Sequence, residues 1–197
     1  MIKNRDWGNK NASAAKSSSN ADVSSSFNKI FFYGGINTKN IVDLNKALND
    51  MEAKHIAEAS RLEISPTVAK LHINSGGGSI TAGIAGLEHI KLSKIPIYTF
   101  VDGFCASAAT FLSVLGDERY TTENSFMLIH QLSTQFWGKY SEFEDEKQNL
   151  DLMMRTIKNI YKKYTKVPKK ELNNILKKDI LWDAKTCLKY GLVDEIL

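Results

Sequence analysis

The chain has 197 residues, 43% of them hydrophobic, with 26 Lys and Arg against 22 Asp and Glu for a formal charge of +4. That length and apolar content suit one domain around a single core. No apolar run reaches the ~20 residues of a membrane-spanning helix, and the start does not read as a charged-then-apolar secretory leader. Two cysteines, Cys105 and Cys187, make no disulfide framework and suit a reducing compartment, here expected to be the cytoplasm. The positive charge is local: residues 158–178 hold eight lysines against Glu171, a net +7 that leaves −3 on the rest. Without interleaved aromatics this reads as a solvated face, and neither nucleic acid nor membrane is an expected partner.

In chain order, residues 1–26 differ from the rest. Positions 11–26 contain seven serines and Val23 as their one large apolar residue, so this segment reads as a flexible arm and residues 27–197 as the folded domain. Ile30–Tyr33 is a strand stopped by Gly34-Gly35. From Thr38, read as an N-cap, apolar residues recur with helical spacing at Ile41, Leu44, Leu48, Met51 and Ile56, and residues 57–66 follow as a polar connection. Val68–Ile73 is the next strand, a helix spans about Thr81–Leu92, and Pro96–Val101 is a β-branched strand. This alternation predicts an α/β fold with a parallel sheet and crossover helices. Arg119–Thr121 and Phe126–Ile129 are short strands, and Gln131–Lys139 is a loop. One long helical pattern then runs from Tyr140 to Tyr164. A shorter helix carries Leu172, Ile175 and Leu176, and Asp183 caps a last helix that Gly191 ends.

Three residues stand at element boundaries. Ser107 lies in Gly103-Phe104-Cys105-Ala106-Ser107-Ala108-Ala109, between a strand and a helix start, where free N–H groups and the helix dipole favour negative charge. Such a turn can present a nucleophile beside oxyanion donors, or can be small-residue packing. His130 falls at the end of a short strand and Asp179 at the start of an extended stretch. Serine, a histidine base and an orienting aspartate together suit acyl transfer. Taken singly, His130 could be a core histidine and Asp179 a turn residue. His55, His72 and His89 read as structural, and no metal-ligand spacing is present. Gly76-Gly77-Gly78 follows a strand without the lysine of a phosphate-binding loop. It reads instead as a place where a substrate chain can approach the backbone, with the Gly78 and Ala108 N–H groups forming an oxyanion hole.

Ile73-Asn74-Ser75-Gly76-Gly77-Gly78-Ser79-Ile80-Thr81-Ala82-Gly83 resembles the glycine-rich loop of the ClpP family of self-compartmentalised serine peptidases. Gly103–Ala109 resembles its serine motif, Met127-Leu128-Ile129-His130-Gln131 its histidine motif, and Asp179 falls at its aspartate, registered by Tyr190-Gly191-Leu192-Val193-Asp194. The resemblance covers about residues 30–197. It implies a ClpP/crotonase-like fold with a long handle helix and a Ser107–His130–Asp179 triad. It also implies an oxyanion hole at Gly78 and Ala108, and substrate contacts at Gly76, Gly77, Gln131 and Leu132. Polypeptide substrates, no cofactor, two stacked heptameric rings and a ring-shaped AAA+ ATPase unfoldase as partner complete the expectation. The chain departs from the family pattern at Gly76, where proline is usual, at Ala108, where methionine is common, and at Lys178, where arginine is usual. Residues 132–137 replace the proline and glycines that normally follow the histidine motif, and residues 1–29 show no counterpart of the axial hairpin that docks the unfoldase.

A silent scaffold subunit, a crotonase-type acyl-CoA enzyme, a Ser-Lys peptidase and a phage head-maturation peptidase are the competing readings, and the complete serine, histidine and aspartate set favours the endopeptidase. Oligomerisation is expected from the long helix itself. Tyr140, Phe143, Leu150, Met153, Ile157, Ile160 and Tyr164 keep one face along it, with no Pro or Gly from 141 to 165 to bend it. At 1.5 Å per residue it spans ~39 Å, against a radius of gyration of ~15 Å for a domain of this size. Part of the stripe, with Phe136 and Trp137 upstream, is therefore expected to meet another copy.

Overall fold

The structure is a computed structural model that describes residues 22–197. It opens with a hairpin of β1 (Val23–Ser26) and β2 (Lys29–Tyr33), antiparallel with Val23 opposite Phe32 and turning through Phe27. The boundary expected at residue 26 is therefore corrected: the arm's last four residues are an edge strand. Ser24, Ser25 and Ser26 are exposed, so this strand is held by backbone pairing and by Val23 against the core, which serine-rich composition does not reveal. Asp22 adds to this by accepting the Tyr33 N–H through its carbonyl (2.8 Å) and the Asn40 amide through its carboxylate (2.9 Å). Residues 1–21 of the expected arm lie outside the described residues.

Helix α1 (Thr38–Leu62) is capped by Asn37 rather than Thr38, the Asn37 side chain accepting the Asn40 N–H. It buries Ile41, Leu44, Leu48 and Met51 and continues to Leu62, through most of the expected polar connection. There its inner face is made by His55 and Ala59, a small and a polar residue that leave a weak periodic signal, while Ile56 faces outward. Next come β3 (Ala69–Ser75), α2 (Ile80–Lys91) capped by Ser79, β4 (Ile97–Ala106) and the short α3 (Ala109–Ser113). After β5 (Glu118–Thr121) and β6 (Phe126–Leu128) runs the long α4 (Tyr140–Tyr164), followed by α5 (Lys169–Leu176), β7 (Trp182–Asp183), α6 (Ala184–Lys189) and β8 (Glu195–Ile196).

The sheet runs β1-β2-β3-β4-β5-β8, parallel from β2 onward, and β6 branches off β4 in parallel with β7 antiparallel beyond it. Ile30, Phe32, Leu71, Ile73, Ile97 and Val101 form the buried side, packed in one cluster with the inner faces of α1, α2 and α3. Alternation puts Phe31, His72, Phe100 and Tyr120 on the opposite side, where they stack in register with successive ring centroids 5.0, 4.6 and 4.8 Å apart. At the C-terminal end, Arg119 makes a fork on Asp194 and also donates to the Tyr164 and Gly191 carbonyls, closing β5 against the last turn. No helix among the described residues is long and apolar enough to cross a membrane.

Candidate active site

The site is built where β4 changes partner. Ile73 pairs with Val101 and Ser75 with Cys105, so β4 carries two extra residues against β3. They are absorbed at Asp102-Gly103, with Gly103 at φ +81°. Buried Ser125 fixes this bulge, accepting the Gly103 N–H (2.8 Å) and donating to the Val101 carbonyl (3.1 Å). Before the bulge β4 pairs with β5; after it, Phe104–Ala106 pairs with β6. The strand ends at Ser107, half-buried and held at φ +55°, a left-handed conformation that costs a non-glycine residue energy and turns its side chain out of the strand line. Its N–H donates to the Leu128 carbonyl (2.8 Å), which ties the turn to β6.

The glycine loop lies directly against this turn. A Cβ on Gly77 would sit 2.6 Å from Ser107 Cβ and 2.7 Å from the Ala106 oxygen, at φ +91°, so only glycine lets the two segments touch. Ser75 Oγ accepts the Gly77 N–H (3.2 Å). Ile36 brackets Gly78: its N–H donates to the Gly77 oxygen and its carbonyl accepts the Ser79 N–H, both at 2.8 Å. A trans peptide is planar with its C=O and N–H opposed. The bond on the Gly77 carbonyl therefore turns the Gly78 N–H away from Ile36. Among the described residues the Gly78 and Ala108 N–H groups donate to nothing. Gly76 is exposed, with nothing within 4 Å of an added Cβ.

His130 follows β6 and meets Asp179 across 49 residues, Nδ1–H donating to Oδ1 at 2.9 Å. With Nδ1–H given to Asp179, Nε2 is the acceptor nitrogen of the neutral imidazole. The Gln131 N–H donates to the Leu176 carbonyl (2.7 Å), which fastens the histidine segment to the end of α5, just before Asp179. The Leu132 N–H points at Met154 Sδ of α4 (3.4 Å). Both N–H groups are thus used within the chain, and the Gln131 and Leu132 carbonyls are the ones left open among the described residues. The structure joins His130 to Asp179 and Gly77 to Ser107, whereas the Ser107 hydroxyl makes no hydrogen bond with His130 or any other described residue.

The other histidines have structural partners: His55 pairs with the Thr67 carbonyl (2.7 Å), His72 with Asp102 (2.9 Å) and His89 with Asn49 (3.0 Å). Asp102 also accepts from the Tyr33 hydroxyl (2.6 Å), whose pKa burial and that carboxylate push up to about 12. Among the described residues no three His, Cys, Asp or Glu converge as a metal site. Cys105 and Cys187 are both free and buried, and burial pushes each thiol up to about 12.

The model of the Clp protease family matches residues 25–197, nearly all of the described chain. The chain belongs to the Clp protease family. It is 30% identical over 130 residues to the ATP-dependent Clp protease proteolytic subunit of Deinococcus radiodurans, covering 65% of this chain and 64% of the relative. It is 31% identical over 143 residues to proteolytic subunit 1 of Streptomyces avermitilis, covering 72% and 64%. The matched part of the chain thus spans less than two thirds of the length of these relatives. Among solved structures, a mutant of ClpP1 from Listeria monocytogenes matches with a TM-score of 0.75 at 23% identity, over 87% of this chain and 91% of that one, which shows the same fold. Within this Clp protease chain, Ser75, Ser125 and Ile36 are the supporting residues that sequence reading missed. Only Ser75 leaves a local trace, a serine two residues before a glycine that can close a turn.

Proposed function

We propose that the chain is a serine endopeptidase subunit that hydrolyses peptide bonds of unfolded polypeptides, with Ser107 as nucleophile, His130 as base and Asp179 as its orienting partner. Ser107 Oγ attacks the scissile carbonyl carbon while its proton passes to His130 Nε2. Charge gathers on the carbonyl oxygen, and the Gly78 and Ala108 N–H groups receive it. Collapse breaks the C–N bond, His130 returns the proton to the departing amine, and an acyl-serine remains. Water, deprotonated by the same imidazole, then releases the acid and restores Ser107. The exposed Gly76 and the open carbonyls of Gln131 and Leu132 flank this point, suited to an extended substrate.

The observation that carries this reading is the hydrogen bond between His130 and Asp179, because it unites residues 49 apart and commits Nδ1, which leaves Nε2 as the ring nitrogen available to act as base. A second reading, a silent scaffold subunit, is favoured by the unbonded Ser107 hydroxyl. Treating the purified chain with a fluorophosphonate decides between them. Modification of Ser107, with peptide cleavage abolished in Ser107→Ala by about 10⁴-fold or more, is expected of the enzyme. A chain that is not modified and cleaves nothing is the scaffold.

The assembly we propose is a pair of stacked heptameric rings joined through α4. Its N-terminal half and the preceding loop expose Phe136, Trp137, Tyr140, Phe143 and Leu152. The relatives' names include "ATP-dependent"; coupling of this chain to a ring-shaped ATPase is expected to be weak or absent, since the sequence of residues 1–29 shows no counterpart of the docking hairpin.

A further inference from the structure

Helix α4 reaches the serine turn through two buried hydroxyls. Thr110 Oγ1 lies 2.7 Å from the Ser107 carbonyl oxygen and 2.7 Å from Tyr161 Oη, and both residues are fully buried. A threonine hydroxyl has one hydrogen. A carbonyl can only accept, so that hydrogen goes to Ser107 O, and the Tyr161 hydroxyl must donate to Thr110. Burial pushes the Tyr161 phenol above its ordinary value, so it stays protonated and remains a donor. The Thr110 N–H also donates to Ser107 O (3.0 Å).

The carbonyl at the end of this chain shares a peptide plane with the Ala108 N–H. Two donors on Ser107 O hold that plane, so they aim the Ala108 N–H the opposite way. Ile36 does the same for Gly78 by donating to Gly77 O. Each candidate oxyanion donor is thus set by a bond on its own peptide's carbonyl, and for Ala108 that bond is extended by a second hydroxyl from a distant helix. Aligned hydroxyls ending on its carbonyl also polarise this peptide and strengthen its N–H as a donor.

We propose that Tyr161 and Thr110 are positioning residues that orient and polarise the Ala108 N–H. They would make acyl transfer depend on how the C-terminal part of α4 is seated. The proposal rests on the reading of Ser107 as nucleophile, and it has a readout that does not.

The test uses the full chain and its Tyr161→Phe, Thr110→Val and Thr110→Ser variants. Fluorophosphonate labelling of Ser107 is resolved into a binding constant and a maximal rate, and amide exchange is followed over residues 106–112. Losing a whole oxyanion donor costs roughly 10²–10³ in rate, so misaiming one is expected to slow the maximal labelling rate by about 10-fold in Tyr161→Phe and more in Thr110→Val. The binding constant should hold, Thr110→Ser should label at nearly the parental rate, and the Thr110 amide should exchange faster in Tyr161→Phe. A merely structural pair would not split rate from binding or be rescued by serine. Parental labelling with Tyr161→Phe equally fast overturns the proposal, whatever Thr110→Val does. If the parent itself is not labelled, the nucleophile reading falls, and exchange alone decides: faster exchange in Tyr161→Phe supports the pair, unchanged exchange overturns it.

Discussion

The serine turn and the outer half of α4 use their side chains in opposite ways. Around Ser107 the shape is made by close backbone contact and by hydrogen bonds to backbone groups: Gly77 against Ser107, Ile36 on both sides of Gly78, the Ser125 hydroxyl on the β4 bulge, Leu128 on the Ser107 N–H and the Thr110 hydroxyl on its carbonyl. Each of those bonds closes within one chain. From Phe136 to Leu152 the reverse holds. Trp137 is 98% exposed, Tyr140 78% and Phe143 56%, and α4 buries side chains fully only from Ile157 onward. An exposed apolar surface of that kind marks a contact face. The first region is finished by its own sequence, and the second is open to the neighbour proposed for it.

The largest expected break of this contrast is Gly77→Ala. At φ +91° the new methyl would meet Ser107 Cβ and the Ala106 oxygen, and since both belong to the turn, the turn must move. Peptide cleavage should fall by about 10³-fold or more, with a lowered melting temperature. Activity within 10-fold of the parent would show that the two segments are not as tightly fitted as their geometry demands. Asp179→Asn, by contrast, leaves the backbone untouched but presents the wrong imidazole tautomer, with a loss of up to about 10⁴-fold in kcat and little change in KM or melting. Leu152→Asp and Trp137→Ala address the other region. Light scattering should show smaller species, a weakening of about 2 kcal/mol or more at a contact centre, while circular dichroism stays parental because these side chains bury little in their own chain. An unchanged particle size in both would remove α4's outer half from the interface. The smallest effect is expected at Asp194, whose carboxyl the Arg119 guanidinium holds below its ordinary value of 3.8. A carboxyl so depressed stabilises the fold above that value and loses its contribution as pH falls through the folded one. Asp194→Asn should therefore lower the melting temperature by a few degrees at neutral pH and flatten its decline below about pH 4; thermal scans across pH 3–7 measure both.

Much of this was readable from residue order. The strands at 30–33 and 97–101, the long helix from Tyr140 to Tyr164 and the Asp183 cap all appear where periodicity and capping chemistry put them. What escaped was held by backbone. β1 is three serines and a valine, β8 is two residues long, and neither carries a hydrophobic period. The end of α1 hid because its inner face uses His55 and Ala59. In the site, residue types marked Ser107, His130 and the glycine loop, but the meeting of His130 with Asp179 is a tertiary fact. Tyr161 was invisible for a related reason: it lies next to Ile160, just off the stripe, and its hydroxyl gains meaning only when Thr110 is placed beneath it.

The two cysteines have a practical side. Cys105 sits inside β4, two residues before Ser107, and Cys187 in α6, and both thiols are sealed from solvent and far from ionisation at neutral pH. Since the thiolate is the form that alkylates, the native chain is expected to behave towards maleimides as if it had no cysteine. A single cysteine substituted for exposed Lys39 on α1, away from the apolar face of α4, would then be the one reactive handle on the molecule, and a dye placed there would report subunit exchange in real time without first having to engineer the serine turn.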